Sequence, residues 1–101
     1  MSEKIIVNID PDLEDLIPGF LSNRAKDVES INKLLVDGDL AAIRILGHSM
    51  KGAGGGYGFD YVTELGDTIE RASLAGDVDV IRVANAELAD YLNRVEPVCE
   101  Q

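Results

Sequence analysis

The sequence predicts an all-α fold: an antiparallel up-and-down four-helix bundle with a short N-terminal arm and a short leading helix. Three observations carry this. Apolar residues recur at helical spacing over four long segments, brief turn signals separate those segments, and strand-like alternation of comparable length appears nowhere. Loops this short force neighbouring helices to run antiparallel.

The elements follow in chain order. Ile5-Ile6-Val7-Asn8-Ile9 is a β-branched patch ending at Asp10-Pro11, and proline biases the residue before it to extended geometry, so residues 1–10 are expected to form an arm. Asp10 caps a short leading helix with Pro11 at its first position, and Asp12, Glu14 and Asp15 suit the positive end of its dipole. That helix runs to about Ile17; Pro18-Gly19 then breaks the pattern, with Pro18 well placed at the opening turn of the next helix. A second helix then runs over about 18–36 on Phe20, Leu21, Ala25, Val28, Ile31, Leu34 and Leu35. Asp37-Gly38-Asp39 is a stop and a new cap. The third helix places Leu40, Ile43, Leu46, Met50, Ala53 and Tyr57 on one stripe. Gly58 turns the chain into a fourth, over about 60–75, on Phe59, Val62, Leu65, Ile69 and Ala72. After Gly76-Asp77 a last helix over about 78–95 packs Ile81, Ala84, Leu88, Tyr91, Leu92 and Val95 and stops at Pro97.

Composition bounds what this bundle can do. With 101 residues, 46% of them hydrophobic, the chain makes one domain over 1–101, its core over about 11–96. Nine basic residues against nineteen acidic ones give a net charge of -10, which repels nucleic acid and anionic membrane surfaces. One Cys and one His exclude an internal disulfide and a Cys/His zinc site. No apolar run approaches the roughly 20 residues that span a bilayer. Met1-Ser2-Glu3-Lys4 leads only into Ile5-Ile6-Val7 before Asn8, so no export signal is expected and the chain reads as cytoplasmic.

The third helix carries the anomaly. On a wheel of 100° per residue, His48 projects some 170° from the centre of the apolar stripe, so the single histidine should face solvent. Arg44, Ile45, Lys51, Gly52 and Gly55 share its sector, which reads as an acid-free patch. In so acidic a chain, two cations and two glycines around one imidazole suit a negatively charged guest. Neutral Nε2 is a competent nucleophile toward phosphorus, and a phosphoryl group placed there carries about two negative charges, which Arg44 and Lys51 can offset. Gly52, Gly54, Gly55 and Gly56 in a helix interior cost roughly 4 kcal/mol together against a stability of about 5 to 15 kcal/mol. Gly52 and Gly55 leave bare backbone beside His48 for a partner to press on; Gly54 faces inward and lets a neighbouring helix approach. A phosphate-binding loop would need Lys and Ser/Thr after the last glycine, yet Lys51 precedes the run; a dinucleotide fingerprint would need a βαβ unit. The run could alternatively be a loop that follows Met50. The acids of the last two helices, Glu64, Asp67, Glu70, Asp77, Asp79, Glu87 and Asp90, read as a solvated surface.

The segment His48-Ser49-Met50-Lys51-Gly52-Ala53-Gly54-Gly55-Gly56-Tyr57-Gly58 resembles the signature of histidine-containing phosphotransfer (HPt) domains, and the resemblance extends over nearly the whole chain. It implies a four-helix bundle whose His48 is the phosphoacceptor, with Lys51 as the cation near the phosphoryl group and Gly52 as the gap that admits the partner. Ile45 and Ala41, one turn earlier, would supply apolar contact, and Gly58 would permit the inter-helix turn. Gly54 to Gly56 are richer in glycine than the usual small or polar run. The partners implied are response-regulator receiver domains and a hybrid sensor histidine kinase. The chain would be a monomeric phosphoryl carrier without kinase or phosphatase activity and without a cofactor of its own, since Mg²⁺ belongs to the receiver. Two rival readings are a helical module that docks a receiver or kinase without being phosphorylated, and an enzyme using His48 as general base. The second lacks any cleft or partner acid.

Overall fold

The computed structural model describes residues 3–99. Met1 and Ser2, which open the expected arm, and residues 100–101 lie outside the described residues. In order the chain forms strand β1 (Ile5–Ile9), a 3₁₀ helix (Pro11–Leu16), helices α1 (Ile17–Asp37), α2 (Leu40–Gly56), α3 (Asp60–Ala75) and α4 (Val78–Arg94), and strand β2 (Val95–Cys99). Each long helix packs on the next and α4 returns to α1, which closes a four-helix bundle.

Local chemistry sets the boundaries. Asp39 and Asp77 cap α2 and α4 by accepting from the backbone N–H of Ala42 (3.1 Å) and Val80 (3.2 Å). Gly38 and Gly76 each take φ 73° at the preceding helix ends, a left-handed geometry that favours glycine. Asp10 caps the 3₁₀ segment through the N–H of Asp12 at 2.9 Å. The core runs along the axis through Ile31, Ile43, Met50, Val62, Ile69, Ile81 and Leu88, all fully buried. At one end Phe20 stacks on Phe59 (5.1 Å between centroids) and leans on Tyr57 (4.6 Å).

Several expectations change. The N-terminal arm is a strand, and the segment after α4 is its partner: β1 and β2 pair in parallel, with Ile5 opposite Val95 and Ile9 opposite Cys99. Ile9 is buried and Ile5 and Val7 are half-buried, so alternate residues of the arm extend the core. Pro97 ends the helical pattern as expected, but the chain continues as a strand, where a two-stranded ladder always leaves an edge for proline. Val95, assigned to the last helix, is already extended at φ -69°, ψ 136°. The short leading helix is 3₁₀ and ends at Leu16, and the start of the second helix expected at Pro18 holds to within one residue. Pro18 sits in the first turn of α1, where its missing N–H has no helical partner to lose, and the 3₁₀ segment runs directly into α1. Ala25 faces solvent rather than the core. The glycine run is helical as far as Gly56, so the loop reading fails, and Tyr57 follows as the C-cap.

The closest packing lies between α2 and α3. A Cβ placed on Gly54 would fall 2.7 Å from the backbone N of Thr63, one on Gly47 2.8 Å from the backbone N of Glu70, and one on Gly66 2.5 Å from the backbone N of Lys51. At these three positions the glycine lets the facing backbone come closer than a Cβ would allow. The inward role read for Gly54 therefore holds, and Gly47 and Gly66 share it.

Candidate functional site

His48 stands on the outer face of α2, with its side chain 72% exposed. Because α2 and α3 approach so closely, α3 supplies its neighbours. The Glu70 carboxylate, whose side chain is only 15% exposed, lies with Oε2 2.8 Å from His48 Nδ1. A carboxylate only accepts, so Nδ1 carries the proton and donates, and in the neutral ring Nε2 keeps its lone pair on the solvent side. The other Glu70 oxygen lies 3.6 Å from Lys51 Nζ, and Lys51 Nζ lies 3.1 Å from Asp67 Oδ1. Arg71 Nε closes the chain of charges at 3.2 Å from Asp67 Oδ2.

The His48 surroundings are therefore not acid-free. The wheel of a single helix contains only that helix, whereas Asp67 and Glu70 arrive from the facing one. They are part of this cluster rather than a solvated surface. Lys51 is correspondingly not a free cation: its ammonium pKa is raised above the ordinary 10.5, chiefly by the hydrogen bond to Asp67. The Asp67 carboxyl is held below its ordinary 3.8, chiefly by the hydrogen bond from Lys51. The stabilisation at Asp67 is present above 3.8 and is lost as pH falls through its lowered value; that at Lys51 is present below 10.5 and is lost as pH rises through its raised value. The pair thus holds across the neutral range. Asp67→Asn is expected to bring the Lys51 pKa back toward 10.5, read by an NMR titration of the lysine ε position; an unchanged value would show that Asp67 does not hold the ammonium.

The remaining residues of the expected site divide clearly. Arg44 is half-buried one turn before His48 and makes no salt bridge among the described residues. Gly52 is exposed, and a Cβ there would meet nothing within 4 Å, so the backbone one turn beyond His48 is bare. Gly55 is also exposed, although a Cβ on it would touch Thr63 Oγ1 at an ordinary 3.6 Å. Ala41 is exposed and Ile45 is 60% exposed. Ile45 edges a shallow groove of about 460 Å³ between α1 and α2, which Lys33, Leu34 and Leu46 also line. Gly58 takes φ 88° in the α2–α3 turn.

Glu70 is the principal residue that sequence reasoning missed. A hairpin register could have found it: moving back three residues along α2, from Lys51 to His48, matches moving forward three along α3, from Asp67 to Glu70.

The fold and this face define a class: a four-helix bundle presenting a solvent-facing imidazole held from behind by a carboxylate of the adjacent helix. The family model for the Hpt domain matches residues 15–97, and the chain belongs to that family. At family level Hpt domains serve histidine phosphotransfer in two-component phosphorelays, where they meet receiver domains and kinases as phosphocarriers. Comparison with curated proteins and with solved structures returned no match. Among the described residues no helix is long and apolar enough to cross a membrane.

Proposed function

We propose that this protein is a phosphorelay carrier in which His48 Nε2 accepts a phosphoryl group from the aspartyl phosphate of one receiver domain and yields it to the aspartate of another. The observation that supports this is the hydrogen bond between His48 Nδ1 and Glu70, which leaves Nε2 as the ring atom open to a partner. In the forward step the Nε2 lone pair forms the N–P bond as the acyl P–O bond breaks, and the electron pair leaves on the receiver carboxylate. The ring becomes cationic at that moment, and Glu70 lies against the Nδ1–H that carries the charge. Such transfer needs positioning and charge neutralisation more than covalent help. Lys51 and Arg44 are the cations at hand for the incoming phosphoryl oxygens. Lys51 would exchange part of its contact with Asp67 for them. Mg²⁺ is expected on the receiver, with no cofactor, kinase or phosphatase activity in this chain, which we read as a cytoplasmic monomer.

Gly52, Gly55, Ile45 and Ala41 form the docking surface in this proposal. A receiver must bring its aspartate within bonding distance of Nε2, so side chains one turn from His48 must stay small while an apolar residue such as Ile45 gives area to bury. The test is incubation with a phosphorylated receiver. Acid-labile, base-stable phosphate should appear, with nitrogen NMR assigning it to Nε2. Binding without any transfer would instead favour the non-phosphorylated docking module. Gly52→Leu is expected to slow uptake from a receiver at least about tenfold, a cost of about 1.4 kcal/mol at the transition state. Labelling by a small phosphoramidate should stay comparable. An unchanged receiver rate would remove Gly52 from the docking surface.

A further inference from the structure

The face formed by α3 and α4 carries a feature that phosphotransfer at His48 does not use. Two adjoining depressions of about 670 and 300 Å³ share Val83 and Glu87, so they form one continuous trench between the helices. Its apolar floor and walls include Tyr61 and Leu65 from α3 and Val80, Val83 and Tyr91 from α4. Tyr61, Val80 and Val83 are 38%, 39% and 58% exposed, an unusual concentration of large apolar side chains on one face. Along α4 the trench runs from Asp79 to Arg94, about 22 Å at 1.5 Å per residue, or about four turns of a helix laid beside it.

The charge of the rim selects the occupant. Arg82 pairs with Asp79 at 3.5 Å and Arg94 with Asp90 at 3.0 Å, so those two carboxylates already have cationic partners. Glu87, which lines the trench, has only the Tyr61 hydroxyl, which donates to it at 3.1 Å; Glu64 and Asp60 lie outside the lining on α3, and neither has a salt bridge among the described residues. The field on the aromatic walls is correspondingly negative. The Tyr61 phenol is pushed up by burial first and then by Glu87, Glu64 and Asp90, and Tyr91 by burial and then Asp60. A second copy of this chain would bring the same acidic rim and another net charge of -10. It is therefore the wrong occupant.

We infer that the α3–α4 trench is a docking site for an amphipathic helix of a partner protein, one whose apolar stripe is flanked by Lys or Arg. This is the helix-in-groove mode, with Tyr61, Val80 and Val83 as apolar contacts and Glu87, Glu64 and Asp60 as the complementary charges. No residue of α1 or α2 lines the trench, so a helix seated there leaves the His48 face open and both partners can be bound together.

The experiment titrates the intact protein with a synthetic four-turn helix bearing a leucine stripe between lysines, and with its counterpart in which glutamate replaces every lysine. Chemical-shift changes from the lysine peptide should concentrate at Tyr61, Val80, Val83 and Tyr91. Binding should weaken at least tenfold in Val83→Lys and in Val80→Lys. Both sites are exposed, and unchanged circular dichroism will show that each variant folds. Val36→Lys, an exposed apolar residue on α1, should bind as the parent does. Shifts scattered over the whole acidic surface, equal binding of the glutamate peptide, or full affinity in the Val83 and Val80 variants would each overturn the proposal. So would sedimentation showing that the trench instead closes a dimer.

Discussion

Replacing His48 with alanine is expected to reduce phosphoryl uptake from a phosphorylated receiver to background while leaving the helical circular dichroism and the melting temperature essentially unchanged. The two halves of this outcome have separate causes. The imidazole is 72% exposed and its one hydrogen bond, to Glu70, joins it to the surface rather than to the core. Losing it costs no more than an exposed ion pair does, below about 1 kcal/mol. Glu70 is not orphaned, because its other oxygen remains 3.6 Å from Lys51. Chemically the loss is complete, since the variant has no histidine nitrogen at all to form the N–P bond. Phosphorylation of neighbouring hydroxyls is excluded by asking that any residual label be acid-labile. Acid-labile label retained by the alanine variant would overturn the assignment of His48 and with it the proposed function. A fall in melting temperature of several degrees would show that the ring has a structural role the geometry does not give it.

Where the structure departs from the sequence reading, one physical cause recurs. Helix α3 spans Asp60–Ala75, as the apolar period and the flanking glycine turns predict, because those signals are local to the segment. The outward direction of His48 was legible for the same reason: a wheel needs only one helix. What a wheel cannot contain is the partner across a hairpin. Glu70 and Asp67 looked like solvated acids because their reason for being where they are lies on α2. No packing role is legible in the sequence for Gly47 or Gly66, yet they are among the most crowded glycines, since a residue without a side chain adds nothing to an apolar stripe. The same blindness to distance hid the sheet. Ile5–Ile9 is legible only as a β-branched arm, because its partner Val95–Cys99 is nearly the whole chain away, and that five-residue segment, with the helix-stopping Pro97 at its centre, carries no strand signal of its own.

The α2–α3 contact yields the prediction that ties stability to the site. Gly66→Ala is expected to destabilise the protein by about 2 kcal/mol, whereas Gly52→Ala, the same chemical change across the same helix pair, is expected to stabilise it. In isolation alanine is the better helix former by about 1 kcal/mol at either position. At Gly52 nothing lies within 4 Å of the added methyl, so that gain is kept, and the melting temperature should rise by about 4 to 8 °C for a domain of this size. At Gly66 the methyl would lie 2.5 Å from the backbone N of Lys51, 2.8 Å from the carbonyl O of Gly47 and 3.0 Å from Met50 Cβ. Two of those atoms are backbone, so no rotamer change relieves the clash and the helices themselves must separate. Overpacking costs about 1 to 3 kcal/mol and occasionally more, and a clash with backbone takes the upper end; about 3 kcal/mol less the helical gain of about 1 leaves a net loss of about 2 kcal/mol and a melting temperature lower by about 8 to 16 °C. Separation has a second consequence, because Glu70 and Asp67 ride on α3 while His48 and Lys51 ride on α2. The Nδ1–Glu70 hydrogen bond should lengthen in Gly66→Ala, visible as a shifted tautomer equilibrium in the imidazole nitrogen spectrum below the melting temperature. Melting shifts of the same sign in the two variants would mean that helix propensity, rather than backbone contact, governs this interface. Opposite signs with an undisturbed ring spectrum would mean that Glu70 follows the imidazole by its own flexibility and not by the register of the hairpin.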